Sequence, residues 1–264
     1  MENLILALVQ SDLYWKNTTA NLAMLEEKIL SIPRRVDVVV LPEMFPSGFT
    51  MEAAEVAEPM NLQVCRWMQQ MSAQTQAVVT GSAVIQENGK FFNRLLWVEP
   101  SGKIDHYDKR HLFRMANEHD HYTGGRVRKV FNWNGWRILP QVCYDLRFPV
   151  WSRNRARANG TMEYDLALYV ASWPSPRVSA WDTLLRARAI ENLSYSIGVN
   201  RVGVDGNGVG YSGHSGAYGF KGETLVFLED RETIQIVELD AGALHDYRQK
   251  FPAWMDADDF SVDV

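Results

Sequence analysis

The sequence predicts a layered sandwich of the α/β or α+β class, formed by one domain. Helix-like and strand-like segments alternate along the chain, strand-like hairpins are added among them, and no internal repeat or low-complexity linker interrupts the order. The chain has 264 residues, of which 46% are hydrophobic and 22% charged, as is typical of soluble globular proteins. We expect a single domain over residues 1–264, with a tail outside the core from about Phe251.

The first half of the chain begins with an apolar run, Leu4–Gln10, that has the length of a buried strand. A helix is expected over Asn17–Ser31, because apolar residues recur there at helical spacing. A polar residue can cap its start, and Pro33 ends it. The elements expected next are a strand over Asp37–Leu41, a helix over Leu62–Gln74, and strands over Ala77–Ile85, Phe92–Val98 and Lys103–Tyr107.

The second half continues the alternation and ends in a strand-rich region. Four glycines between positions 203 and 210 precede strand-like sequence, which predicts a glycine-rich hairpin or loop and not a dinucleotide site. Arg153, Arg155 and Arg157 are expected on the solvated face of a short helix. The predicted helices are Pro149–Asn159 and Trp181–Leu193, and the predicted strands are Trp136–Val142, Leu166–Val170, Ser194–Asn200, Ser215–Phe220, Thr224–Leu228 and Thr233–Leu239.

Charge and targeting patterns limit the function classes. The formal net charge is -5, so the chain lacks the basic surface that nucleic-acid binding requires. No apolar run reaches the ~18 residues that span a bilayer, and the first apolar segment follows an acid where a secretion signal has basic residues. Cys65, expected in a helix core, and Cys143 are far apart, and no disulfide is expected. We expect a cytoplasmic protein whose partner is a small molecule, with no nucleic-acid or membrane partner.

Three segments share one arrangement, in which an apolar strand ends in a residue that can do chemistry. Glu43 follows VVVLP, Lys109 follows the last strand of the first half, and Cys143 follows ILPQV. Functional side chains are often exposed where the strands of such sheets end. A cysteine at such a turn faces backbone N–H groups, as a nucleophile requires. Each residue taken alone also fits a surface charge or, for the cysteine, a buried apolar side chain.

Together, the three segments resemble the nitrilase superfamily of carbon–nitrogen hydrolases, in which Glu, Lys and Cys occur in this order. The motifs are LPEMFPSGF around Glu43, YDKRHLF around Lys109 and CYDLRFP around Cys143, and Glu118 stands where the family carries a second active-site glutamate. The chain is similar to the omega-amidases in particular, through CYDLRFPVWSRN, ASWPSPR, RARAIEN, NRVGVDGNG and FPAW. The resemblance covers nearly the whole chain and implies an α+β fold, a four-layer αββα sandwich, that forms a homodimer.

The resemblance also implies an amidase without a cofactor. It would hydrolyse the terminal amide of short 2-oxo dicarboxylic monoamides, such as 2-oxoglutaramate and 2-oxosuccinamate, to the acid and ammonia through a cysteine thioester. Cys143 is then the nucleophile and Glu43 the general base and acid. Lys109 stabilises the oxyanion, and Glu118 orients Lys109 or the substrate amide.

A substrate with a free carboxylate needs a cation, and the planar fork of arginine binds both carboxylate oxygens at once. Arg147 is the first candidate, because it follows closely after Cys143. The alternative is that Arg147 pairs with a buried acid, such as Asp145 or Glu118. The other residues expected at the substrate are Tyr144 and Trp173, and the reserve cations are Arg114 and Arg177.

Two alternatives to the amidase stay open. A nitrilase or an N-carbamoyl amide hydrolase would use the same triad, whereas a non-catalytic thiol-sensing or binding module would use only the fold. The intact set of Glu43, Lys109 and Cys143 favours an enzyme. A metal site is not expected, because the acidic and imidazole side chains that cluster in sequence form no compact metal-binding motif. These side chains are His106, His111, Glu118, His119, Asp120 and His121.

Overall fold

The computed structural model describes residues 2–157 and 160–262, so the end of the helix predicted over Pro149–Asn159 lies outside the described residues. The strands are β1 (Leu4–Gln10), β2 (Val38–Val40), β3 (Val78–Glu87), β4 (Lys90–Val98), β5 (Ile104–Asp108), β6 (Phe131–Trp133), β7 (Trp136–Val142), β8 (Leu166–Ala171), β9 (Tyr195–Asn200), β10 (Val202–Val204), β11 (Gly210–Ser212), β12 (Gly216–Tyr218), β13 (Thr224–Phe227) and β14 (Thr233–Leu239). The α-helices are α1 (Thr18–Leu30), α2 (Ala53–Val56), α3 (Gln63–Thr75), α4 (Glu118–His121), α5 (Pro149–Ser152), α6 (Val178–Asn192) and α7 (Ala241–Lys250).

Two six-stranded mixed sheets form the centre of the fold. The first has the strand order β14-β1-β2-β3-β4-β5, and the second has the order β13-β12-β9-β8-β7-β6. In the first sheet β2 runs parallel to β1 and β3, and in the second β8 runs parallel to β7 and β9. The remaining strands pair antiparallel at the edges. Parallel strands at the centre place their carboxyl ends at the same edge of each sheet.

Strand β1 shows why the central strands read as continuous apolar runs. Leu4, Leu6 and Leu8 are buried in the core between the two sheets. Ala7 and Val9 point the other way and pack with residues of α1 and α3. Because successive side chains of a strand alternate between faces, a strand covered on both faces needs apolar residues at every position. The helix layer on this side of the first sheet is therefore formed by α1 and α3.

Helix α6 covers the outer face of the second sheet. Trp181 and Leu185 of this helix are fully buried and approach β9 at Gly198. A Cβ atom at Gly198 would lie 2.5 Å from side-chain atoms of both residues, so only glycine permits this close packing. The order of layers is helix, sheet, sheet, helix, which confirms the predicted α+β fold with four αββα layers.

Most other predicted elements are confirmed with boundaries shifted by up to three residues, but the helix expected over Pro149–Asn159 ends at Ser152 and is wrong over residues 153–157. Asn154 is buried, and its side-chain amide donates hydrogen bonds to the carbonyls of Tyr164 at 2.9 Å and Asn192 at 3.1 Å. These tertiary hydrogen bonds replace further helical turns. A short local pattern could not reveal partners that are distant in sequence.

The three arginines that were expected on one helical face are not on a helix. Arg153 donates to the backbone carbonyl of Glu191 at 2.5 Å. Arg155 pairs with the carboxylate of Glu163 at 3.4 Å, and Arg157 donates to its backbone carbonyl at 3.3 Å. The predicted helix is therefore wrong over residues 153–157, whereas Arg155 and Arg157 are exposed, as expected. The contacts of the three side chains connect an extended segment to its neighbours.

Three further features complete the fold. Helix α7 was not predicted, although Asp240 caps it by accepting a hydrogen bond from the N–H of Ala243 at 2.9 Å. The glycine-rich segment forms the antiparallel β10–β11 hairpin, as expected. Cys65 is fully buried in α3, and both cysteines are free thiols. Among the described residues, no helix has the length and apolar character needed to cross a membrane.

Candidate active site

Loops at the carboxyl ends of four strands meet at one site. Glu43 lies three residues after β2, and Lys109 directly follows β5. Cys143 and Ser172 directly follow β7 and β8 in the other sheet. The site therefore lies between the two sheets, and its side chains are held by the rigid ends of buried strands.

An ionic cluster forms the base of this site. The ammonium nitrogen of Lys109 lies 2.9 Å from Oε1 of Glu43 and 2.9 Å from Oε2 of Glu118. All three side chains have 0% relative exposure. A buried charge needs a partner and further hydrogen bonds, and here one cation lies between two carboxylates.

Backbone and side-chain donors fix the two carboxylates. Oε2 of Glu43 accepts a hydrogen bond from the N–H of Ser172 at 2.7 Å. Oε2 of Glu118 accepts one from the N–H of Phe113 at 2.6 Å. The amide of Asn93 donates to Glu43 at 2.8 Å and to Glu118 at 3.3 Å. These contacts leave the carboxylates little freedom to rotate.

Cys143 occupies a strained turn. Its φ is +45°, in the left-handed region that residues other than glycine rarely adopt. The residue begins a 3₁₀ helix, Cys143–Arg147, directly after the end of β7. Its relative exposure is 9%, so the residue is largely buried. A strand that turns sharply into a helix presents the first helical side chain at the edge of the sheet, as nucleophiles require.

Asp145 holds this turn to the segment that carries the lysine. Its carboxylate accepts hydrogen bonds from the N–H of Val142 at 3.0 Å, the hydroxyl of Tyr107 at 2.8 Å and the N–H of His111 at 2.9 Å. The indole N–H of Trp151 donates to the same tyrosine oxygen at 3.0 Å. Sequence reasoning missed this network. Its residues were present in the two motifs, because Tyr107 and His111 belong to YDKRHLF and Asp145 belongs to CYDLRFP.

The electrostatics of the site favour a charged lysine and a protonated thiol. Burial lowers the pKa of Lys109, but Glu118 and Glu43 raise it by more, and the net shift is upward. Burial raises the pKa of the Cys143 thiol well above its ordinary value, and the charge of Glu43 adds to this shift while Lys109 opposes it. A thiol in this setting loses its proton only when a nearby base accepts it.

A small cavity of about 40 Å³ opens above the cluster. Lys109 and Cys143 both line it, whereas Glu43 and Glu118, which contact Lys109, are not among its lining residues. The structure thus brings the seven predicted site residues to one place, with five of them on the cavity wall. The lining residues are Phe49, Lys109, Phe113, Cys143, Tyr144, Arg147, Ser172, Trp173, Pro174 and Arg177.

Arginines also line the cavity. The guanidinium of Arg147 lies over the ring of Trp173, 4.9 Å from its centroid. Neither acid considered as its partner is free for it, because Glu118 binds Lys109 and Asp145 holds the turn. Of the two reserve cations, Arg177 lines the cavity, whereas Arg114 is exposed outside it.

The cluster of acidic and imidazole residues noted in the sequence does not converge on one point. Glu118 faces Lys109, and His111 bonds to Asp145 through Nδ1 at 2.7 Å. Within residues 2–157 and 160–262, no group of three or more His, Cys, Asp or Glu side chains is arranged to hold a metal ion.

Comparison with known proteins agrees with this architecture. The family model for carbon–nitrogen hydrolases matches residues 5–249. The omega-amidase YafV of Escherichia coli K12 is 49% identical over 263 residues, which cover 99% of this chain and 100% of that protein. The 2-oxoglutaramate amidase of Bacillus subtilis is 28% identical over 94% of this chain and 95% of its own.

Solved structures give the same result. A CN-hydrolase superfamily protein from Xanthomonas campestris, whose crystal structure has an arsenic adduct in the active site, superimposes with a TM-score of 0.97. It is 44% identical, and the match covers 100% of both chains. The chain belongs to the carbon–nitrogen hydrolase family of the nitrilase superfamily, and it is a hydrolase of carbon–nitrogen bonds.

Proposed function

We propose that this chain is an omega-amidase that hydrolyses the terminal amide of short 2-oxo dicarboxylic monoamides, such as 2-oxoglutaramate and 2-oxosuccinamate. The products are the free acid and ammonia. The observation that carries this proposal is the cavity lined by Cys143 and Lys109. Glu43 is hydrogen-bonded to this lysine, and an arginine on the cavity wall has no carboxylate partner among the described residues. The similar proteins named omega-amidase and 2-oxoglutaramate amidase support the same substrate class.

The first half of the reaction is acylation of the cysteine. Glu43 takes the thiol proton as the sulfur of Cys143 attacks the amide carbon, because the buried thiol does not ionise by itself. The C–S bond forms, and the carbonyl oxygen becomes an oxyanion. Glu43 then gives its proton to the nitrogen, the C–N bond breaks, and ammonia leaves a thioester on Cys143.

The second half releases the acid. Glu43 removes a proton from a water molecule, which attacks the thioester carbon. The C–S bond breaks as the tetrahedral intermediate collapses, and the proton returns to the sulfur of Cys143. One carboxylate thus serves both half-reactions, and no cofactor is needed.

Lys109 and the backbone of Tyr144 stabilise the oxyanion in both halves. The raised pKa of Lys109 keeps its ammonium charged, and the side chain lines the cavity beside Cys143. Tyr144 is the second residue of the 3₁₀ helix, so its N–H is among the donors that the start of a helix leaves without an intrahelical partner. Glu118 keeps the ammonium in place without lying on the cavity wall.

Arg147 is proposed to bind the carboxylate at the far end of the substrate. Its guanidinium lies over the ring of Trp173, and no carboxylate among the described residues pairs with it, so its N–H donors can face a ligand. Arg177 supplies a second positive charge on the same wall. An anionic substrate is therefore favoured over a neutral amide of the same length.

A panel of short amides assayed for ammonia tests the proposed function. We expect 2-oxoglutaramate and 2-oxosuccinamate to be the best substrates, with neutral amides weaker. A nitrile of matching length and an N-carbamoyl amino acid serve as controls for the two alternative activities. Faster turnover of either control than of every amide would contradict the proposal.

The variant Arg147→Lys tests the carboxylate role. Lysine keeps the charge but loses the second hydrogen bond to the carboxylate. A hydrogen bond to a charged group contributes ~1.5–3 kcal/mol. We therefore expect kcat/KM for 2-oxoglutaramate to fall about 10- to 100-fold. A neutral amide of the same length should change much less. Arg114→Lys, on an exposed arginine outside the cavity, is the matched control and should have no effect. Equal losses on both substrates would assign Arg147 a structural role.

We also propose that the protein acts in the cytoplasm as a homodimer, with one domain in each chain and the segment from about Phe251 as a tail. The resemblance of the whole sequence to the nitrilase superfamily supports the dimer, and the two free thiols, Cys65 and Cys143, fit a reducing compartment such as the cytoplasm. Most residues after Phe251 are exposed in the single chain, as expected for a segment outside the core.

A further inference from the structure

We propose that Asn93 is a positioning residue that holds Glu43 and Glu118 around Lys109 for catalysis. This inference depends on the proposed roles of Glu43 and Cys143. Asn93 lies in β4 and is 1% exposed. It is outside the set of described residues that line the cavity, so it acts on the substrate only through the charged cluster.

Asn93 contacts all three members of the cluster. Its side-chain nitrogen donates to Oε1 of Glu43 at 2.8 Å and to Oε1 of Glu118 at 3.3 Å. Its backbone carbonyl accepts a hydrogen bond from the N–H of Lys109 at 2.9 Å, at the point where β5 ends. The side chain of Asn93 therefore holds the two carboxylates near each other. Its backbone fixes the position from which the side chain of Lys109 extends.

The orientation of the amide follows from charge. Ionised carboxylates only accept hydrogen bonds, so the NH₂ group of Asn93 must face Glu43 and Glu118, and a flipped amide would place its oxygen against both. The remaining atom, Oδ1, is buried without a hydrogen-bond partner among the described residues. An unpaired buried acceptor lowers the stability of the fold. The presence of asparagine at position 93 is therefore better explained by the two hydrogen bonds that its amide donates to the glutamates than by a contribution to stability.

The strand pattern agrees with a functional position. Leu95 and Trp97 follow Asn93 at every second residue and lie in the apolar core between the sheets. Residues 93, 95 and 97 share one face of the strand, so an apolar side chain is expected at position 93 as well. A polar residue at such a position, with its donors directed at catalytic carboxylates, is the kind of local exception that functional sites show.

Removal of the Asn93 donor is expected to weaken the base and not substrate binding. Other groups that act on Glu43 stay in place, namely the charges of Lys109 and Glu118 and the titratable side chains of Cys143, Tyr122 and Tyr211. Without the amide, the carboxylate of Glu43 loses a hydrogen bond that fixes its orientation. A carboxylate that is free to rotate is a poorer acceptor of the thiol proton.

The test compares Asn93→Ala with Asn93→Leu, which keeps the volume but has no donor. We expect both variants to lower kcat about 10- to 100-fold with KM nearly unchanged. The rate at which iodoacetamide alkylates Cys143, followed by peptide mass spectrometry, should fall similarly. Alkylation requires no amide turnover, so it tests Asn93 even where the proposed substrate class is wrong.

Asn154→Ala is the matched control, because Asn154 is also a buried asparagine with several hydrogen bonds but lies away from the cluster. We expect it to lower the melting temperature while kcat and alkylation stay near wild type. Wild-type alkylation in both Asn93 variants would overturn the proposal. Activity retained by the Leu variant alone would show that Asn93 only fills space, and failure of both variants to fold would show that it is structural.

Discussion

Cys143→Ala is expected to abolish amide hydrolysis while the protein stays folded. The substitution removes the sulfur that forms the thioester and little volume. Loss of the nucleophile in enzymes with a catalytic triad lowers kcat by on the order of 10⁴–10⁶-fold, and a comparable loss is expected here. Because the side chain lies at the edge of the sheet and is not among the largest core residues, the melting temperature should change by only a few degrees.

The second cysteine provides a control for this experiment. Cys65 is fully buried in the core between α3 and the first sheet. We expect Cys65→Ala to lower the melting temperature through the small cavity it leaves, with kcat near that of the wild type. Mass spectrometry of the wild-type protein during turnover of a slow amide should also find an acyl group on Cys143 and none on Cys65. Residual turnover above a small fraction in Cys143→Ala would exclude this residue as the nucleophile.

The sequence located the candidate site because three of its residues follow apolar strands at recognisable motifs. Glu43, Lys109 and Cys143 each come shortly after a buried strand, and parallel strands bring such positions together. What a strand pattern leaves open is the partner of each side chain. The interaction of Lys109 with both glutamates depends on the register of β4 and β5 and on how the sheets stack, which one strand's periodicity does not encode.

The same limit explains the residues that were missed or placed wrongly. Asn93 lies in an apolar strand and Asp145 in the motif CYDLRFP, yet their hydrogen-bond partners, Glu43 and His111, are distant in sequence. The helix predicted over residues 153–157 is absent for the same reason, because Asn154 has its hydrogen-bond partners in other segments. Helix α7 is the opposite case, since its capping aspartate, Asp240, was a local signal that was present and overlooked.

Glu43→Gln and Lys109→Met should each lower kcat by three or more orders of magnitude, roughly the effect of removing an oxyanion donor or a catalytic base. Gln cannot accept the thiol proton, and Met cannot stabilise the oxyanion. Because the two residues act in the same transition state, the double variant should be hardly slower than either single one. Kinetic measurements on all three variants check this, and losses that multiply would show that the residues act independently.

Stability separates the structural role of Lys109 from its catalytic role. Lys109→Met leaves Glu43 and Glu118 buried side by side without their cation, and breaking a buried ion pair in this way typically costs ~3–5 kcal/mol. Adding Glu118→Gln to Lys109→Met removes one of the two negative charges. The variant with both of these substitutions should therefore melt at a higher temperature than Lys109→Met alone. Its kcat should stay as low, because the oxyanion still lacks its cation. Recovery of activity together with stability would mean that Lys109 serves only to hold the fold, and the proposed mechanism would lose its oxyanion donor.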